Sequence, residues 1–140
     1  MKVASKTNIG SRKENQDRVK TAYLNDRTVF AIVCDGMGGE NAGGFASELA
    51  INTVFDRVIS GFRDDFDSNN IKNLLKSAVS AANALVRGAA DEDPSKEGMG
   101  TTCVAAIVRD GIVHMVNVGD SRGYIFDNGC LNQVTVDHTV

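Results

Sequence analysis

The sequence has no tryptophan, a single proline, two histidines and three cysteines in 140 residues. With only His114 and His138 available, a histidine-rich metal centre is excluded, and any metal would need oxygen ligands. Cys34, Cys103 and Cys130 are odd in number, far apart and set among apolar neighbours. That pattern predicts reduced core thiols in a cytoplasmic protein and argues against a disulfide framework or a zinc site. No stretch approaches about 18 continuous apolar residues, and the opening MKVASKTNIG has no apolar run behind its lysine, so neither membrane spanning nor secretion is expected. Basic residues are also scarce relative to acids, 15 against 18 for a net charge of -3. There is thus no basic footprint for nucleic acid or an anionic membrane.

What is present suits one core. Hydrophobic residues make up 42% and charged residues 24%, the balance of a globular protein, and the length allows one ordinary domain spanning 1–140. Residues 2–9 are a weak strand candidate and 18–24 a better one. The run TVFAIVC at 28–34 is apolar on both faces, as in a strand covered on two sides. Phe45, Leu49, Phe55, Ile59 and Phe62 then recur at helical steps. Ile71, Leu74, Leu75, Ala78, Ala82, Leu85, Val86 and Ala89 make the stripe of a second helix, with Ser68 or Asn69 as its cap. DEDPSKEGMG at 91–100 holds the proline and predicts a mobile loop. Strands follow at 101–108, 112–118, 123–126 and 130–136, with Asp110-Gly111 and Asn128-Gly129 as hairpin turns. Strands, then helices, then strands predict an α+β fold with antiparallel sheets.

The chemistry concentrates in VFAIVCDGMGGENAGG at 29–44. An isolated Asp-Gly is usually a turn, but Asp35 ends a core strand, and glycines at 36, 38, 39, 43 and 44 let the backbone approach something closely. A carboxylate fixed at a strand end beside a free carbonyl suits a hard cation such as Mg²⁺ or Mn²⁺. A phosphate cradle fits less well, because no G-K-[ST] follows and an acid at the mouth would repel phosphate. In RKENQD at 12–17, ordinarily a solvated turn, Arg12 offers a planar fork for phosphate and Asp17 an acid leading into a strand. Asp120 in NVGDSR, where a bulge or turn is the plain explanation, is a further candidate ligand. GMGTT at 98–102 reads as a flexible strand entry, His114 as a core or sheet-face histidine, and Asp64, Asp65 and Asp67 as a solvated approach to a helix.

Taken together, SRKENQDR at 11–18, DGMGG at 35–39 with Ala46-Ser47, GMGTT at 98–102, VGDSR at 118–122 and TVDHT at 135–139 resemble the metal-dependent protein phosphatase family of the protein phosphatase 2C type, in its bacterial and sporulation-type branches. The motifs run in the family's order. The resemblance implies an antiparallel β-sandwich flanked by helical layers, incomplete here at the C-terminus, and hydrolysis of phosphoserine or phosphothreonine in protein substrates with Mn²⁺ or Mg²⁺. It implies that Asp35 bridges two ions, that Gly36 lends a carbonyl, that Arg12 binds phosphate, that Asp17 holds metal-bound waters with Gln16 beside it, and that Asp120 serves an additional metal site. Glu40 and Gly44 stand where bacterial relatives commonly carry histidine and glutamate. Two further aspartates of the family pattern have no counterpart, and Asp137 belongs to a segment that is not a metal-ligand motif. A catalytically incomplete regulatory or binding module is therefore the alternative to an active phosphatase. Open sheet edges lead to an expectation of self-association.

Overall fold

The computed structural model describes residues 1–139. Strands β1 (Asp17–Asn25) and β2 (Thr28–Met37) are followed by helices α1 (Ala42–Gly61) and α2 (Ser68–Glu92), then by β3 (Gly100–Thr101), β4 (Cys103–Arg109), β5 (Ile112–Val118), β6 (Tyr124–Asp127) and β7 (Cys130–Gln133). The main sheet is antiparallel in the order β1-β2-β4-β5, with β3 extending the pairing on β2, while β6 and β7 form a separate hairpin. Both two-residue turns take the left-handed geometry that matches strand twist, with φ of 52° and 76° at Asp110-Gly111 and 49° and 78° at Asn128-Gly129.

Strand alternation sorts the sheet into two faces. Phe30, Ile32 and Cys34 of β2 and Cys103, Ala105 and Ile107 of β4 point to the helices and are buried. Against them α1 sets Ala46, Ala50, Ile51, Val54 and Val58, and α2 sets Ile71, Leu75, Ala78, Ala82 and Val86. Each buried Phe, Ile or Leu contributes about 1.5–3 kcal/mol, and the alanines let the two helices and the sheet approach closely. On the opposite face Val33 of β2 and Val113 of β5 remain 43% and 38% exposed. The hairpin reaches the sheet at Met115, against which Gly123 packs with no room for a side chain.

The α+β class, the antiparallel pairing and the two helices agree with expectation. The described residues supply one helical layer, the main sheet and a hairpin of that architecture. Five details differ, one being that the strand expected over 130–136 ends as β7 at Gln133. Residues 2–9 form no strand, because they are mostly exposed and pair with no strand. The α2 cap is Asp67, whose carboxylate accepts from the Asn70 N–H while the Asn70 side chain accepts from the Asp67 N–H. Residues 91–100 hold the end of α2 and a 3-10 turn at Pro94–Lys96, in place of a plain loop. Cys130 is exposed, whereas Cys34 and Cys103 are buried; its position in the short hairpin carries it outside the core. His114 is buried as expected, its Nε2 on the Ser68 hydroxyl at 3.0 Å.

Candidate metal and phosphate site

The end of β2 builds the site. Cys34 points into the core, Asp35 to the opposite face, and Gly36 back toward α1. Antiparallel register sets Asp17 of β1 directly opposite Asp35. Two like charges face to face destabilise a sheet unless something positive joins them. The carboxyl of Asp35, an exposed residue, is raised above its ordinary range, first by partial desolvation, then by the charge of Asp17 and a hydrogen bond to it, then by the charge of Asp120. The Arg12 guanidinium is the opposing influence. Three residues singled out from sequence, Asp17, Asp120 and Arg12, thus act on the carboxylate of a fourth, Asp35.

The backbone around Asp35 is pinned on both sides. Its N–H donates to the Thr102 hydroxyl at 3.0 Å, and its carbonyl accepts from the Thr102 N–H at 2.9 Å and the Thr101 hydroxyl at 3.1 Å. Thr102 Oγ1 also meets Ser121 Oγ at 2.6 Å, which ties the Asp120 loop to the same strand end. The segment 135–139 holds that loop from outside. Asp137 grips Arg122 through Nε at 3.0 Å to both oxygens and Nη2 at 2.6 Å, and the His138 N–H donates to the Gly119 carbonyl at 2.9 Å. Hence TVDHT contributes positioning contacts, and Asp137 is spent on an arginine.

On the β1 side the Gln16 carbonyl accepts from the Gly36 N–H at 3.1 Å and from the Ser47 hydroxyl at 2.6 Å. Arg12 closes a turn on the Ile9 carbonyl at 3.2 Å. A cavity of about 690 Å³ opens here, lined among others by Arg12, Asn15, Asp17, Asp35 and Gly36. The positioning roles of Thr102 and Ser121 escaped the sequence analysis. The only signal was the hydroxyl-rich entry to β4, which reads equally well as a flexible lead-in.

Does this donor set fit a divalent cation? The packed carboxylates, with Asp35 raised by its neighbours, are the arrangement a cation would relieve. Among the described residues no three His, Cys, Asp or Glu side chains form a metal-ligating cluster. Protein oxygens would therefore supply part of a coordination shell and water the rest, which suits Mg²⁺ or Mn²⁺.

Residues 5–139 match the model of the protein phosphatase 2C family. The chain belongs to the protein phosphatase 2C family. It is 35% identical over 132 residues to the serine/threonine phosphatase stp of Listeria welshimeri, covering 92% of this chain and 51% of that protein. A crystal structure of a bacterial serine phosphatase superposes with a TM-score of 0.81 at 32% identity, covering 92% of this chain and 51% of that one. The catalytic domain of the serine/threonine protein phosphatase PstP in complex with two manganese ions superposes at 0.70 with 32% identity, covering 90% and 50%. The chain thus spans about half the length of the relatives it matches. In this protein phosphatase 2C chain the bare Gly44 has a local reason: a Cβ built there would stand 2.5 Å from the Glu14 carboxylate, so Glu14 lies over the start of α1.

Proposed function

We propose that this chain carries the phosphate-binding and bridging-carboxylate part of a metal-dependent phosphoserine/phosphothreonine protein phosphatase. The observation that carries the proposal is Asp17 facing Asp35 across the β1–β2 pairing, with Arg12 and Gly36 lining the same cavity, within a chain of this family. Asp35 and the Gly36 carbonyl would hold Mn²⁺ or Mg²⁺, with Asp17 and Asp120 accepting hydrogen bonds from the waters completing the shell. When bound, such ions supply Lewis acidity and lower the pKa of coordinated water. Arg12 grips two phosphoryl oxygens through its fork and offsets the charge that builds on them during in-line displacement. The Thr102 and Ser121 hydroxyls keep the Asp35 backbone and the Asp120 loop in fixed relation. No described cysteine or serine lines this cavity, so a direct water attack accounts for the residues present.

The test is Mn²⁺ calorimetry together with hydrolysis of p-nitrophenyl phosphate and of a phosphothreonine peptide. Binding and turnover that both vanish in Asp35→Asn, with Arg12→Ala raising KM for the peptide, are the expected results. Unchanged Mn²⁺ binding in Asp35→Asn would overturn the assignment.

A further inference from the structure

Two of the three cysteines lie side by side immediately behind the site. Val33 pairs with Val104 on one side and Gly36 with Thr101 on the other, so the same register sets Cys34 opposite Cys103 and Asp35 opposite Thr102. The Thr102 N–H bond to the Asp35 carbonyl makes that pair the hydrogen-bonded type. The Cys34–Cys103 pair is then the non-hydrogen-bonded type, in which opposing side chains come closest. Both side chains point into the helix-covered core. Cys34 is sealed, but Cys103 is 6% exposed and lines a second cavity of about 460 Å³ that also touches Met37, Met99 and Thr101. A peroxide molecule, scarcely larger than water, fits that space.

We propose that Cys34 and Cys103 form a reversible cross-strand disulfide under hydrogen peroxide, and that its closure weakens metal binding at Asp35. Cys103 sulfur attacks one peroxide oxygen, the O–O bond breaks, and hydroxide leaves with the thiol proton as water, giving a sulfenic acid. Cys34 sulfur then attacks Cys103 sulfur, forming the S–S bond and displacing a second water. The two sulfurs together give up two electrons to one peroxide. Opposing Cβ atoms in such a pair lie toward the near end of about 4.5–5.5 Å, whereas a disulfide holds them at about 3.8 Å. Closure therefore draws β2 and β4 together by about 1 Å one residue away from Asp35 and Thr102. The Asp35–Thr102–Ser121 hydrogen bonds meet at that point, so the Asp120 loop shifts with them.

The disulfide stands on register alone; its effect on metal binding rests on the proposed metal site. The experiment treats the full chain, carrying Cys130→Ser to remove the exposed thiol, with hydrogen peroxide. Peptide mass mapping without reductant should show Cys34 joined to Cys103, both alkylatable again after dithiothreitol. Mn²⁺ affinity measured by calorimetry should fall about tenfold on oxidation and recover on reduction, while Cys103→Ala and Cys34→Ala chains keep theirs through peroxide treatment. Cysteines that stay alkylatable, or go to sulfinic acid without joining, would overturn the proposal. So would a joined pair with unchanged Mn²⁺ affinity. A reduced chain that binds no Mn²⁺ but forms the disulfide would refute the metal site and, with it, the coupling, leaving the dithiol chemistry intact.

Discussion

Replacing Gly36 by alanine puts one methyl group where β2 crosses the start of α1. The new Cβ would stand 2.5 Å from the carbonyl carbon of Gly43, nearer still to its oxygen, and 3.1 Å from the Gln16 carbonyl, where ordinary contact is 3.4–4 Å. Both neighbours are backbone, so no side-chain rotation relieves the overlap, and strand and helix must part by about 1 Å. Overpacking of this kind costs about 1–3 kcal/mol. The same movement stretches the Gly36 N–H bond to Gln16, a further contribution of about 1 kcal/mol. Against a total stability of about 5–15 kcal/mol the loss is large. It also moves the carbonyl assigned to the cation. Gly39→Ala is the control: its Cβ meets nothing within 4 Å and its φ lies outside the left-handed region, so a change within about 0.5 kcal/mol is expected. Urea unfolding in EDTA reads the stability, and Mn²⁺ calorimetry reads the site. A Gly36→Ala chain as stable as Gly39→Ala, with unaltered Mn²⁺ affinity, would refute both the close approach and its role.

Asp35→Asn should raise the urea midpoint of the chain in EDTA, because it removes one of the carboxylates that Asp17 and Asp120 oppose; a lower midpoint would mean that the cluster is not repulsive. Asp93, whose carboxyl is lowered from 3.8 to about 2 by the Ser95 hydroxyl, then Lys96, then the Ser95 N–H, binds fewer protons folded than unfolded. Its contribution to stability is therefore present above about pH 4 and lost as pH falls through about 2. Thermal unfolding of Asp93→Asn across that window should show a flatter acid limb than the parent chain. Ile107→Ala, in a fully buried position between β4 and the helices, should cost about 2–5 kcal/mol by urea unfolding without changing the far-UV circular dichroism of the folded state.

Most of the elements, and the acids, arginine and glycines of the site, are legible in local stretches of the chain. Apolar alternation and helical spacing were enough for β1, β2, the two helices and the hairpin turns, since a period of two or of 3.6 is a local property of the chain. The placement of Asp35 at the end of a buried strand, with glycines behind it, was likewise visible in a single stretch. Which side chains meet depends on pairing between distant segments. Asp17 faces Asp35 because β1 pairs with β2 in one register, and slipping by a single residue would turn one of them to the other face. Thr102, Ser121 and Asp137 owe their roles to contacts 67, 19 and 15 residues away along the chain, which no local pattern encodes. The same is true of Cys34 and Cys103: in sequence they are two scattered thiols, and strand pairing makes them neighbours.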